Sequence, residues 1–99
     1  MRLKPGVSLR GVRAETAVAM MITDATLGAI TVTSVTEGTH KRASAHYTGR
    51  AFDLRTPVTT NATGFVNLHE KLLAELGAEF DVVIEADHWH VEYDPKEPL

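Results

Sequence analysis

Phe80-Asp81-Val82-Val83-Ile84-Glu85-Ala86-Asp87-His88-Trp89-His90-Val91-Glu92-Tyr93 reads as two strands joined by a short turn. The first run, 80–84, is rich in β-branched and aromatic residues, and Ala86-Asp87 supplies the turn. In the second run side chains alternate across the strand, so Trp89, Val91 and Tyr93 share one face and His88, His90 and Glu92 the other. One hairpin strand thus offers a core face and a polar face. Glu92 reads as an exposed strand carboxylate or as a partner for the His90 imidazole N–H.

Upstream, residues 65–76 place Phe65, Leu68, Leu72, Leu73 and Leu76 on one face of a helix. Thr60 or Asn61 is its expected N-cap and Gly77 its C-terminal cap. His69 reads as a partly buried surface residue without chemistry. Residues 49–55, through Ala51 and Phe52, suggest a short buried strand carrying Asp53, and residues 39–48 a polar loop that includes the solvated pair Lys41-Arg42. Residues 29–36 alternate β-branched and hydroxyl side chains, predicting a half-buried strand with Ile30, Val32 and Ser34 inward. Residues 9–25 repeat apolar side chains at helical spacing, with Ala14, Ala17, Val18, Met21, Ile22 and Ala25 as the expected core stripe. Residues 1–8 read as an irregular lead-in and 94–99 as a tail. The expected architecture is α+β, one domain over 1–99, with two helices packed on a small antiparallel or mixed sheet.

Composition narrows the function. The chain has 99 residues, 10 basic and 13 acidic side chains and a formal charge of −3. That balance offers no basic footprint for nucleic acid, so no nucleic-acid partner is expected. No apolar run approaches the ~20 residues of a membrane helix, so no membrane insertion is expected. No signal peptide is legible at the N-terminus. With no cysteine, any metal must be held by imidazole and carboxylate.

Those ligand types are at hand. His46 and Asp53 bracket Gly49 at a predicted turn into a strand, and His90 lies on the polar face of the hairpin. Two histidines and one carboxylate around an open position form a ligand set for catalytic zinc. Asp87, beside the hairpin turn, is left as general base for a metal-activated water. A buried, like-charged neighbourhood would raise its pKa. A second arrangement uses His88 together with His90, whose i, i+2 spacing puts them on one face.

Ser44-x-His46-x-x-Gly49-x-Ala51-x-Asp53, followed by Asp87-His88-x-His90, resembles the signature of the zinc D-alanyl-D-alanine carboxypeptidases and L-alanyl-D-glutamate endopeptidases, which share the hedgehog/DD-peptidase fold. The resemblance implies one Zn2+ per chain on His46, Asp53 and His90, Asp87 as acid/base, and His88 lining the site near the tetrahedral intermediate. It also implies Ser44 as a substrate contact and a D-amino-acid-containing cell-wall peptide as substrate. The family's arginine before the first motif has no counterpart in Ser34-Val35-Thr36-Glu37-Gly38-Thr39-His40. His40, Lys41, Arg42 and Arg50 are the candidates to replace it at the substrate. The expected setting is cytoplasmic synthesis, as a phage product acting on the wall after release. The alternative is a non-catalytic zinc-stabilised module of the same fold, such as a phage-particle component.

Overall fold

The computed structural model describes residues 1–38, 44–57 and 62–95. Their elements run β1 (Arg2–Leu3), α1 (Ala14–Leu27), β2 (Thr31–Ser34), a 3₁₀ turn (Ala45–Thr48), β3 (Ala51–Arg55), α2 (Ala62–Leu76), β4 (Phe80–Ile84) and β5 (His88–Tyr93). The fold is α+β, with a five-stranded mixed sheet in the order β1-β2-β3-β5-β4 and two helices packed against it. Among the described residues only the β1–β2 pair is parallel. Among the described residues no helix is long and apolar enough to cross a membrane.

The two central strands explain why the sheet has two unlike faces. Phe52 lies opposite Val91, and Leu54 opposite Trp89. All four are fully buried or nearly so, in one cluster with Val32, Val82, Ala19 and Met20 of α1 and Leu72 of α2. Each large apolar side chain removed from water there contributes roughly 1.5–3 kcal/mol. The residues between them, Asp53 and His90, are also paired across the two strands and project from the other face. Strand alternation therefore puts the helix-covered core and the polar site on the same backbone.

Four expectations change. The lead-in contains β1, whose Arg2 N–H donates to the Ile30 carbonyl (2.9 Å), while Lys4 N–H donates to that of Val32 (2.8 Å). Helix α1 begins at Ala14 rather than near Leu9, because Gly11 has φ +77° and Arg13, the N-cap, is extended. Its buried residues are Thr16, Ala19, Met20 and Thr23, whereas Val18 and Met21 of the expected stripe are 49% and 58% exposed. Apolar side chains lie almost all round this helix, so spacing does not select a face. The threonines are buried at little cost, since Thr16 Oγ1 donates to the Gly49 carbonyl (2.8 Å) and Thr23 Oγ1 to that of Ala19 (2.7 Å). In β2, Val35 rather than Ser34 joins Ile30 and Val32 in the core. Pairing of Val32 with Leu54 but Ser34 with Asp53 marks a one-residue irregularity that shifts the alternation.

Helix α2 and the β4–β5 hairpin follow the sequence reading. Leu72 of α2 is fully buried, with Leu68, Leu73 and Leu76 packed around it, and Gly77 N–H caps the helix on the Leu73 carbonyl. His69 is half-buried, with Nε2 2.8 Å from the Val82 carbonyl oxygen. The expected N-cap at Thr60 or Asn61 lies outside the described residues, as do His40, Lys41, Arg42 and residues 96–99.

Candidate metal centre

The 3₁₀ turn at Ala45–Thr48 is held at both ends. Ser44 caps it, its Oγ accepting from His46 N–H (3.2 Å). Gly49 closes it in the left-handed region (φ +71°), and a Cβ there would strike the Gly11 carbonyl. The Gly49 carbonyl in turn accepts from Arg13 N–H (2.9 Å) and Thr16 Oγ1 (2.8 Å), tying the turn to the start of α1. Gly49 thus permits a backbone approach that a side chain would block.

This turn delivers His46 to the open face of the sheet. Its side chain is almost fully buried, and Nδ1 lies 2.6 Å from the Val35 carbonyl oxygen. A carbonyl only accepts, so Nδ1 carries the proton and donates. That leaves Nε2 to face Asp53 Oδ1 at 3.3 Å. From the neighbouring strand His90 reaches the same oxygen, with Nδ1 at 2.9 Å. The outer nitrogen of His90, Nε2, meets Glu92 Oε1 at 3.1 Å. The two rings are tilted, with centroids 5.1 Å apart.

One ligand atom from each of His46, Asp53 and His90 lies within 4.8 Å of the others, forming a candidate metal-binding group. The donor set suits a cation. In each imidazole the nitrogen turned away from the centre is engaged by an oxygen acceptor, the outer-shell pattern that fixes tautomer and ring orientation in metal sites. Electrostatics agree with this. Burial pushes the Asp53 carboxyl up, but its contacts with His46 and His90 outweigh that and hold it far below the usual carboxylate range. Asp53 and then Glu92 raise the pKa of His90 against the opposing effect of its burial. The centre concentrates negative charge where a cation would sit.

Asp87 and His88 stand beside this group rather than in it. His88 Nδ1 lies 2.7 Å from Asp87 Oδ1, and its Nε2 lies 2.7 Å from Glu85 Oε2 and 3.9 Å from Asp53 Oδ2. The first-ranked ligand trio therefore comes together, and the alternative with His88 does not. The expected rise in the pKa of Asp87 is reversed. Its side chain is 90% exposed, and the His88 imidazole lowers its pKa. The same contact raises the pKa of His88.

Of the expected substrate contacts, Ser44 serves as the turn cap just described. Arg50 donates from Nε to Thr48 Oγ1 (2.9 Å) and from Nη1 to the Tyr93 carbonyl (3.2 Å). His40 lies outside the described residues. Sequence reading missed Val35 and Glu85. The i, i+3 spacing of Glu85 and His88 across the turn is a signal for the second, whereas nothing local signals a backbone carbonyl. A cavity of about 320 Å³ opens beside the centre, lined by Lys4, Thr33, Asp53, Arg55, Asp87 and His88. No protein family, curated protein or solved structure matches the chain.

Proposed function

We propose that the chain is a zinc-dependent peptidase acting on short bacterial cell-wall peptides that contain D-amino acids. The observation that carries this reading is the His46–Asp53–His90 group, with both imidazoles oriented from behind and a cavity against Asp53. Two imidazoles and a carboxylate around an open position are a donor set that catalytic zinc takes. When bound, it supplies Lewis acidity toward a carbonyl and lowers the pKa of a water.

The chain's own residues do the rest. Val35 and Glu92 fix the imidazoles, so the three donors are arranged before any metal arrives. Asp87, at the cavity wall, accepts the proton of the attacking water and returns it to the leaving amine. Asp87 is ionised at neutral pH, the form that accepts a proton, and the His88 contact lowers its pKa further. In its protonated form His88 also places a positive charge in the cavity wall, where the oxyanion develops.

A second reading, a metal-stabilised module without catalysis, is favoured by the exposure of Asp87. One experiment separates the two: zinc stoichiometry and hydrolysis of D-Ala-D-Ala, L-Ala-D-Glu and crosslink-mimicking peptides, on wild type, Asp87→Asn and His46→Ala. The peptidase gives one zinc per chain and cleavage of a panel member. That cleavage falls at least 100-fold in Asp87→Asn with zinc retained, as expected for loss of a general base. His46→Ala loses the metal under either reading. Wild-type turnover in Asp87→Asn would remove Asp87 from its role, zinc without cleavage would favour the module, and absence of zinc would refute both.

A further inference from the structure

The turn of the β4–β5 hairpin carries metal-ligand atoms that the trio does not use. The Glu85 N–H donates to the His88 carbonyl (2.9 Å), so these two residues are the pair that closes the turn. Residues directly opposite across an antiparallel pair share a face. His88 shares a face with His90 by alternation along β5, and His90 lies opposite Asp53. Register therefore brings Glu85, His88 and Asp53 to the open face of the sheet, with His88 between the two acids.

The contacts follow that register. His88 Nε2 lies 2.7 Å from Glu85 Oε2 and 3.9 Å from Asp53 Oδ2. Its other nitrogen, Nδ1, lies 2.7 Å from Asp87 Oδ1. An oxygen acceptor on the far nitrogen is what orients a metal-binding imidazole. The Val35 carbonyl and the Glu92 carboxylate hold His46 and His90 in the same way. Zinc bonds of about 2.0–2.2 Å place tetrahedral donors roughly 3.3 Å apart. The two distances from His88 Nε2 lie on either side of that value, so small side-chain rotations close the set.

Asp53 has an oxygen for each group. Its Oδ1 faces His46 (3.3 Å) and His90 (2.9 Å), and its Oδ2 is turned toward His88. The surrounding charge is mixed. Glu85, Asp53 and Asp87 favour a cation beside His88, whereas Arg55, opposite His88 in the strand register, and Lys4, on the cavity wall, oppose one.

We propose that Glu85 and His88, with the second oxygen of Asp53, form a second divalent-cation site, filled after the first and bridged to it by Asp53. One imidazole and two carboxylates make it a site for zinc or a cation of similar ligand preference. In the metal-free chain Nε2 faces carboxylate oxygens and carries a proton, which passes to solvent when the ion binds. The site rests on the metal centre and not on peptidase activity. Sharing Asp53 couples the two ions, and the factor by which the first weakens the second is the factor by which the second weakens the first.

The test is a zinc titration of the metal-free chain, followed by calorimetry, by metal content after equilibrium dialysis, and by the backbone amide resonances of Glu85 and His88. Free zinc is raised to about 1 mM, where every site of at least millimolar affinity is half filled or better. The variants are Glu85→Gln, Arg55→Gln and Asp81→Asn. The last belongs to Asp81, Glu92 and Asp94, another grouping of metal-ligand atoms among the described residues. Wild type is expected to take up two zinc ions, the second held about tenfold or more weakly than the first because of the neighbouring charge. The Glu85 and His88 amides shift with the second equivalent. Glu85→Gln keeps the first ion and weakens the second by about tenfold or more, the loss of one charged ligand. Arg55→Gln tightens the second ion, a gain that mere structural damage would not give, and Asp81→Asn leaves both ions in place.

Two zinc ions with that dependence on Glu85 support the site whether or not any wall peptide is cleaved. One zinc per chain in wild type would overturn it and leave the first centre and the peptidase standing. A second ion held equally well by Glu85→Gln, or weakened in Arg55→Gln, would overturn it too. Uptake of no zinc would refute this site together with the centre.

Discussion

The two faces of the β3–β5 pair are built from alternate residues of the same ten or so positions, yet they differ in what holds them. On the helix-covered face, Phe52, Leu54, Trp89 and Val91 are fixed by close packing, a non-directional force that tolerates few voids. On the open face, Asp53, His46 and His90 are fixed by a few short polar contacts with defined donors and acceptors. The first face contributes most of the stability, and the second contributes geometry. Folding and ligand placement are thereby separated by a single residue step along a strand.

Mutations chosen in pairs across that step test the separation. Trp89→Ala has the largest expected effect on stability, about 3–5 kcal/mol from lost burial and the cavity left behind. Its neighbour change, His90→Ala, is expected to cost about 1–2 kcal/mol in the metal-free chain while abolishing metal binding. Urea denaturation with and without zinc measures both. If the two variants lost equal stability without metal, the faces would not be separable in this way.

Gly49→Ala sharpens the comparison, because the 3₁₀ turn touches both α1 and the centre. Positive φ and the approach of the Gly11 carbonyl predict a loss of about 1–3 kcal/mol. Weaker zinc binding should accompany it, since His46 moves with the turn. Calorimetric titration of zinc into the folded variant provides the check. Unchanged zinc affinity would mean that the tie to α1 does not position His46.

The smallest effect concerns pH. Burial pushes the Glu37 carboxyl up, but the N–H groups of Val35 (2.8 Å) and Ser8 (3.1 Å), with the Ser34 hydroxyl, pull it down further. A carboxylate whose pKa is lowered by folding stabilises the native state above its unfolded pKa, and that contribution is lost as pH falls through the folded value. Stability should therefore decline from roughly pH 5 toward pH 3, and Glu37→Gln should make the decline shallower. Urea midpoints over that range in the metal-free chain measure it. An identical slope in the variant would show that this clamp on the Val35 segment carries no linkage.

What the sequence disclosed is what is local. Alternation in His88–Tyr93 shows both faces of β5, because a strand's period needs no knowledge of its neighbours. Given the hairpin, pairing of Asp53 with His90 needed only one further step, and it is present. The buried face of α1 was not legible, since Val18, Ala19, Met20 and Met21 are apolar on opposite sides and the choice is made by what α2 and the sheet leave open. A two-residue strand such as β1 has no periodicity, so Lys4 could not be placed at the cavity wall by inspection. The lowered pKa of Asp87 depended on exposure and on the rotamer of its neighbour His88, neither of which is written in residue spacing.

The irregularity between Val32 and Ser34 acts as a phase shifter along β2. Before it, Thr33 presents a hydroxyl to the cavity wall; after it, Val35 turns its side chain into the core while its carbonyl meets His46. A strand in perfect register would keep its odd-numbered positions on one side and could not serve both places. Regular alternation at the present length would turn the valine outward, leaving the His46 imidazole without its backbone anchor. The anchor of one candidate ligand is therefore set by a stretch that carries no ligand at all.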